Sequence, residues 1–517
     1  MKFLKGRRFD ENANRQFIMT AEDFETIEYE GQKWIERLKN YIGTHRSQQL
    51  DRLKELKRYY LADNNIKYRE DKSDPYSADN RIASDWAKYI AIFEQGYMLG
   101  NPVEYKNENA EIQKQIDQFS KQNNEKDHNV AIKTDLAIYG RAYELLNTFQ
   151  DEDGSVWVKL YRMDPEQTFV IYDDSYEQRS LMAINYYSIS YGNGHKRDFV
   201  KVYTSNAIYE YVDDNQDTDT LHLKDTSEHF FNGVPVNEFS NNTDRTGAFE
   251  AVLDSIDAYD LSQSELANFQ QDSNEALLVI SGNPFTGVED KDFMEDGRVN
   301  PNGRLAVSQS FKKAKILILD DNPIPGGSSP NANYLVKSYD TAGAEAYKER
   351  LVNDILRFTF TPDTTDSNFA GTQSGEAMKY KLMASDNYRG KQELLFEKGL
   401  MRRLRLAVNI WKIKGNDSEN YNLINETSVV FTPNIPQNDA EIVAMAKNLY
   451  GVMSEQTIFE MLEQVTGVNA EAELERMKEE SEKALEMLPR IELLGKPQSD
   501  EQGDEVAADE ESEDDQP

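Results

Sequence analysis

The chain has 517 residues, 93 acidic against 58 basic, for a net charge of −35 and a mean hydropathy of −0.75. Having no cysteine, it can form no disulfide framework, zinc–thiolate site or thiol nucleophile, and no apolar run approaches the ~20 residues that span a bilayer. A protein that grips nucleic acid tightly presents a basic footprint, so this chain, if it meets DNA, meets it without gripping. The apolar share, 38%, is low for a globular domain and suits an elongated shape or a disordered tail. Residues 498–517, QSDEQGDEVAADEESEDDQP, read as such a tail: they have no aromatic residue and only acidic charges. The N-terminus, MKFLKGRRFDENANRQF, lacks the apolar core of a secretory signal, and the expectation is a soluble protein made inside the cell.

Apolar residues spaced by three and four predict helices over 32–41 and 48–61, with a break at Gly43–Thr44. A polar loop over 62–79 leads to a helix predicted over 81–97, capped by Asn80, with Ile82, Trp86, Tyr89, Ile90 and Phe93 on one face. Further helices are expected over 110–122 and 127–140. From Ala142 the period changes to two, predicting strands over 142–149, 156–162, 168–172, 181–189, 198–204 and 207–212 as one antiparallel sheet. A helix from Ala248 to about Asn274 carries the stripe Phe249, Val252, Leu253, Ile256, Tyr259 and Leu266. Residues 276–340 read as a small β-rich module with strands at 277–281, 305–308, 316–319 and 334–338, set between two helical rods.

The second rod, 342–358, ends before Pro362, and the stretch 361–381, TPDTTDSNFAGTQSGEAMKYK, is a polar, glycine-containing loop feeding a much longer helix to about Lys414. Some 40 residues of helix are roughly 60 Å long, beyond the usual element of a compact domain. A strand at 428–432 and helices at 439–450, 455–465 and 470–487 follow, the last two with Ser454 and Asn469 as N-caps. The fold class is α+β, with no internal repeat.

Motif searches exclude more than they find. Gly282–Gly287 has phosphate-loop spacing, but Val288 stands where the lysine belongs. GTQSG at 371–375 puts Gln373 where a nucleophile elbow needs serine. Gly192-Asn193-Gly194 reads as a hairpin turn. His45, His128, His195, His222 and His229 have no metal-ligand spacing, and the acidic pairs Asp173-Asp174, Asp213-Asp214 and Asp320-Asp321 read as solvated turns. No catalytic residue, metal site or cofactor is assigned. Aromatic residues lie in strand alternation or on helix faces and read as core rather than base-stacking platforms. Basic clusters are few. Lys312, Lys313 and Lys315 are a candidate docking patch for an acidic partner. Arg402, Arg403 and Arg405 are candidates for an intersubunit ion pair.

Six separated segments, in order, are GYMLGNPVEY within 80–105, DLAIYGRAYELL at 135–146, YRMDPEQTFVIYD at 161–173, VPVNEFSNN at 234–242, FEAVLDSIDAYD at 249–260 and FAGTQSGEAMKYKL within 360–382. Together they resemble the portal (head-to-tail connector) proteins of tailed bacteriophages, specifically the siphophage portal family, over roughly residues 20–490. The resemblance implies a homo-oligomeric ring, usually of twelve subunits, at one capsid vertex in the virion, made in the host cytoplasm and not in a membrane. It implies an N-terminal arm (1–19), a wing (20–245), a stem of two helices (246–275 and 341–360) and a clip (276–340). A tunnel loop (361–374), a long tunnel helix with return strand (375–437), a helical crown (438–490) and an acidic tail (491–517) complete it.

In such a ring, double-stranded DNA is driven in by a separate terminase, held without sequence preference, and later ejected. Basic side chains that displaced many counterions would bind DNA tightly and salt-dependently, so an acidic conduit with a few small polar contacts suits passage. The DNA-facing candidates are Asn368, Thr372, Gln373 and Ser374, with Gly371 (and Gly375) as flexible points. Lys379 and Lys381 are candidates for weak phosphate contacts, a neighbouring subunit being the other destination for Lys381. Phe249, Val252, Ile256 and Tyr259 are expected to pack on neighbouring stems rather than in one subunit's core. Lys312, Lys313 and Lys315 would face the terminase and the head-completion adaptor, and scaffold and major capsid proteins complete the implied partners. The competing readings are a nucleic-acid-processing enzyme of a packaging system (a terminase subunit or nuclease) and a non-viral scaffolding protein built on long helices.

Overall fold

The computed structural model describes residues 8–487 except 74–76, 152–153, 155, 193–195, 214–220, 275–276, 282–287, 315, 320–333, 336–339, 364–374, 415–419 and 435–438. The chain divides into two units, 1–435 and 436–517.

The first unit opens with β1 (Phe17–Ile18), α1 (Ala21–Glu25), α2 (Gln32–Thr44) and α3 (Leu50–Tyr60). The break expected at Gly43–Thr44 is absent. A π-helical turn, His45–Gln49, carries α2 into α3. Its extra residue keeps one buried stripe running from Trp34, Leu38 and Ile42 through His45 and Gln49 to Leu53, Leu56 and Tyr59. α4 (Trp86–Leu99), β2 (Glu104–Lys106), α5 (Ala110–Asn123) and α6 (Glu125–Tyr139) follow.

The alternating region supplies β3 (Arg141–Gln150), β4 (Val156–Met163), β5 (Thr168–Tyr172), β6 (Ser180–Ser190), β7 (Lys196–Tyr203), β8 (Ala207–Asp213), β9 (His222–Glu228) and β10 (Val236–Ser240). They form two sheets, not the single one expected. One runs β1-β5-β6-β7-β8-β9, antiparallel except for the β1–β5 pair, and the other runs β10-β3-β4. The larger sheet packs Ile171, Ile184, Val202 and Tyr211 against Trp34, Leu38 and Ile42 of α2. In the smaller one β10 returns to β3 with Phe239 opposite Ala142 and Glu238 opposite Tyr143. Gly140, at the entrance to β3, has φ +79°, and any Cβ there would collide with the Arg245 carbonyl.

Next come α7 (Leu253–Asn274), β11 (Leu277–Ser281), α8 (Arg304–Lys313), β12 (Ile316–Leu319), β13 (Tyr334–Leu335), α9 (Thr341–Phe358), α10 (Gly375–Lys414) and β14 (Ser428–Val430). β11 is the middle strand, parallel to β12 and antiparallel to β13. The strand expected at 305–308 is part of α8, whose first turn is fixed by the Asp292 carboxylate accepting from the Leu305 amide (2.8 Å). α7 and α9 pair in opposite directions: Ile355 shares a core with Val252 and Ile256, while Lys348 Nζ donates to Gln263 Oε1 (2.9 Å) one end further on. β14 pairs antiparallel with β2.

The second unit is helical where described: α11 (Asp439–Leu449), α12 (Glu455–Thr466) and α13 (Ala470–Met487). Ser454 caps α12, and Asn469 Oδ1 accepts from Ala472 N (3.1 Å) at the start of α13. No described helix is long and apolar enough to cross a membrane. The α+β class holds, with the strands concentrated between α6 and α7.

Asn80 does not cap a helix, because residues 78–84 run extended along α7 instead. Ala78 N donates to Asp272 Oδ1 (3.2 Å), Asn80 N to Asn268 Oδ1 (2.6 Å), Ile82 N to Ser264 Oγ (2.9 Å) and Ser84 N to Asp260 Oδ1 (2.8 Å). Two residues of extended chain advance about 6.6 Å and four residues of helix about 6 Å, so the two repeats stay in step over four rungs. These amide bonds exclude helix before Trp86 and leave Ile82 exposed.

α10 is held by its second half. Phe396, Leu400, Leu404, Ala407, Val408 and Trp411 enter a core with Ile112, Ile116, Phe119, Leu136 and Leu146. In the midst of this apolar face sits Arg403, fully buried, with Nε 2.9 Å from Glu144 Oε1, Nη2 2.7 Å from Glu144 Oε2 and Nη1 2.6 Å from Glu125 Oε1. His128 and Asn237 satisfy the rest of Glu144, and Asn237 also donates to the Gly399 carbonyl (2.9 Å). A Cβ at Gly399 would collide with the Phe239 ring, so glycine is what lets α10 lie on β10. Arg403 is therefore an internal tie and not the intersubunit ion pair expected. Arg402 donates to Ser180 Oγ and the Val234 carbonyl, and Arg405 to Asn425 Oδ1, all within the chain.

Removing one partner of such a pair strands the other charge, which costs about 3–5 kcal/mol. Arg403→Met should lower the urea unfolding midpoint accordingly. Burial alone would raise the Glu144 carboxyl, but Arg403 and His128 overcome it and hold it at about 2. Its contribution is present above its ordinary value near 4.5 and fades as pH falls towards 2. Glu144→Gln should thus be far less stable than wild type at pH 7, and the gap should narrow as unfolding is repeated at pH 4 and pH 3.

Candidate functional site

The segment singled out by sequence joins α9 to α10, and the structure defines how its two ends are held. α9 stops at Phe358, where Thr359 Oγ1 donates back to the Ile355 carbonyl (2.9 Å) and Thr361 N to the Leu356 carbonyl (2.9 Å). Phe360 takes φ +57°, an uncommon conformation for an aromatic residue. Two contacts with α10 hold it there: its ring stacks on Tyr388 (centroids 4.8 Å, planes 15° apart) and its carbonyl accepts from Ser385 Oγ (2.5 Å).

From there a polar chain leads inward. Burial pushes the Tyr388 phenol up to about 12, and Asn242 Nδ2 reaches its hydroxyl (3.4 Å). Asp386 accepts from Tyr97 OH (2.6 Å) and from Arg389 Nε (3.2 Å). Gln392 and Lys133 both donate to Asn241 Oδ1, at 3.0 and 2.8 Å, and Lys133 also to Glu94 Oε1 (2.7 Å). Burial lowers the Lys133 pKa against the pull of Glu94. The result is a base clamped to α4 and α6, from which the first ten residues of α10 extend about 15 Å before Ser385. On that stretch Tyr380 and Met383 are exposed, Lys381 is half-buried and Leu382 is buried.

Of the expected DNA-facing residues, Asn368, Gly371, Thr372, Gln373 and Ser374 lie outside the described residues, as does the side chain of Lys379 in the first turns of α10. Lys312 and Lys313 are exposed in the last turn of α8, and Lys315 lies outside the described residues.

The expectation for the α7 stripe is corrected. Phe249, Val252 and Ile256 are 0–1% exposed, packed in this subunit's own core against Leu53, Ala87, Ile90, Ile138 and Ile355. They are not available to a neighbour. Tyr259 is half-buried at the edge of that core, edge-on to Trp86 at 5.8 Å. The period of the stripe marks it as buried, and α3, α4 and α6 supply the partners that a neighbouring stem was expected to supply.

Sequence reasoning missed the arginines held by carboxylates, buried for Arg52 and Arg245 and half-buried for Arg8. Arg8 binds Glu55, Asp254 and Asp257, Arg52 binds Glu250, and Arg245 binds Glu238. Charge in an acidic chain gives no sign of depth. One signal was available: in GRAYELL the alternation of β3 sends Arg141, Tyr143 and Leu145 to one face and Ala142, Glu144 and Leu146 to the other. With Leu146 in the core, Glu144 on the same face has to be buried and paired.

Residues 39–487 match the family model of phage portal proteins. The model describes the SPP1 Gp6-like type, and matching most of its length the chain belongs to that family. Membership makes it a structural component of a phage-type virion, in a family whose members are structural rather than enzymatic. No curated protein sequence matches the chain. A chain from a solved virion of a native gene transfer agent particle is 10% identical, with 81% of this chain and 93% of that chain covered and a TM-score of 0.34.

The Phe360–Tyr388 stack should be energetically coupled. A double-mutant cycle of Phe360→Ala and Tyr388→Ala, read by urea unfolding, should return about 0.5–1.5 kcal/mol of interaction.

Proposed function

We propose that the chain forms a ring-shaped channel at one capsid vertex, through which a terminase motor packages double-stranded DNA and from which the genome is later ejected. The family match over 39–487 carries this reading. The antiparallel α7–α9 pair would be the stem and the β11–β12–β13 module with α8 the clip. The sheets, with α2–α6, would form the wing, α10 the long helix crossing it, and α11–α13 the crown. The segment 361–374 would be the tunnel loop. Phage portals act as rings, so twelve copies, a head-completion adaptor, scaffold and major capsid proteins are the partners of this assignment. The protein itself would perform no catalysis.

The chemistry of passage supports the same reading. With a net charge of −35 the ring would bind few phosphates and release few counterions, so DNA would slide rather than stick. Asn368, Thr372, Gln373 and Ser374 offer small, neutral hydrogen-bonding groups. Lys379 and Lys381, beside the positive end of the α10 dipole, would add weak, fleeting attraction. The clamp at Phe360, Ser385 and Tyr388 would give the loop a fixed base. With the Phe249 stripe spent internally, the stem's contact with its neighbours would rest on other residues of α7 and α9, such as Tyr347 and Phe358, which are exposed.

Deleting 367–375 tests this. Electron micrographs of the variant should still show rings, while DNA packaging into heads falls to background. Normal packaging would refute the role of the loop, and wild-type protein that never forms rings would refute the channel.

A further inference from the structure

Near the N-terminal arm the interior holds more positive charge than its described carboxylates neutralise. Three guanidiniums, Arg52, Arg141 and Arg245, converge there and are 2%, 1% and 7% exposed. Arg52 is held by Glu250 (Nη2–Oε2 2.5 Å) and Arg245 by Glu238 (Nη2–Oε1 2.5 Å). Arg141 has no carboxylate partner among the described residues, and no protein group accepts from its Nε or Nη2. Burial and the fields of Arg245 and Arg52 lower its pKa to about 10, which still leaves it charged at neutral pH.

The unpaired groups are neighbours. Arg52 Nη2 also donates to the carbonyls of Tyr139 (3.3 Å), at the end of α6 just before Arg141, and of Arg245 (3.2 Å), in the connection that follows Ser240, the β10 residue paired with Arg141. Its Nη1 is left without an acceptor among the described residues, as is Arg245 Nε, and the Tyr143 hydroxyl two residues along β3 borders Arg245. His45, stacked on Phe169 at 4.9 Å and bound through Nδ1 to Tyr186 OH (2.8 Å), keeps Nε2 unpartnered. Burial, then Arg141, Arg46 and Arg245, drive its pKa well down, so the ring adds no charge.

The arm closes this region. Asn14 Nδ2 donates to the Arg245 carbonyl (2.8 Å), Arg245 Nη1 to the Asn14 carbonyl (3.3 Å), and Gln49 Nε2 to the Arg15 carbonyl (2.8 Å). Asn14 Oδ1 and Gln49 Oε1 are also without donors among the described residues, so the arm side of the region is polar. An isolated buried charge is among the most expensive features a fold can carry. Among the described residues, two carboxylates against three guanidiniums leave one positive charge, with N–H groups of Arg141, Arg52 and Arg245 unsatisfied.

We propose that this interior site, lined by Arg141, Arg52, Arg245 and His45 beneath the N-terminal arm, binds a small inorganic anion. The anion supplies the missing negative charge and accepts from Arg141 Nε and Nη2, from Arg52 Nη1 and from Arg245 Nε. Halide is the class that fits a site with so many protein bonds already made. It would act as a rivet between the arm, α3, β3 and the β10–α7 connection.

The test uses the full-length protein in anion-exchanged buffer. Thermal unfolding is followed in sodium gluconate, then with gluconate replaced stepwise by chloride or bromide at constant ionic strength. Binding to the native state alone raises Tm with the logarithm of halide above its Kd. Wild type should show that rise, with a bromide anomalous peak beside Arg141 in crystals grown from bromide. Arg141→Met, close in length and uncharged, should lose the halide dependence while keeping its gluconate Tm or exceeding it. A Tm unchanged by halide in wild type, an equal rise in Arg141→Met, or no bromide peak would each overturn the proposal and assign the site to water. A rise with phosphate or sulfate but not halide would overturn the halide assignment and make the ligand tetrahedral. Should Arg141→Met not fold, the wild-type titration and the anomalous map decide alone.

Discussion

The buried pairing of Arg403 with Glu144 and Glu125 is the interaction on which the arrangement of the first unit rests. It fixes α10 in rotation as well as in depth, because a fork-shaped guanidinium meets its carboxylates in one orientation. The apolar side chains around it would tolerate a small slide along the helix axis, whereas the ionic contact would not. Everything N-terminal to it on α10, through Gln392, Tyr388 and Ser385 to the start of the helix at Gly375, is then positioned from the sheet side of the molecule. The junction with α9 inherits its place from a contact 28 residues away along the same helix.

The junction adds a second layer of control. Phe360 sits in a conformation that an aromatic residue adopts only under constraint, and the constraint is the Tyr388 ring and the Ser385 hydroxyl. The residues between the helices are thus bounded by two elements that cannot drift apart.

Much of this was legible in the sequence. The period-two strands between Ala142 and Val212, the long helix to Lys414, the capped helices after Ser454 and the β-containing insertion between two rods all appear close to their expected bounds. What failed did so for identifiable reasons. Leu305 and Val307 alternate like a strand but are recruited by the Asp292 cap into α8. Gly43 looks like a breaker, yet a π-helical turn passes two residues later with the stripe intact. Phe249, Val252 and Ile256 have a helical period that says buried without saying by what. The residues around Gln373 are a separate case, resting on resemblance and polarity and lying outside the described residues. The arginines were invisible because a side chain's depth is decided by the carboxylates that distant segments bring to it, and no local pattern reports those.

The ladder between residues 78–84 and α7 was equally hidden, since Asn80 followed by an apolar run reads as a capped helix. Its rungs join positions 176–194 apart in the chain. During synthesis at 5–20 residues per second, the earlier segment waits roughly 10–40 s for its partner to emerge from the ribosome. Through that interval its amides lack these four acceptors, while the sequence pattern after Asn80 favours a helix. The arrival of Asp260, Ser264, Asn268 and Asp272 would fix the segment as extended chain. Docking of α7 on this segment would thereby be a late event in the birth of each subunit, timed by where its four polar side chains fall in the message.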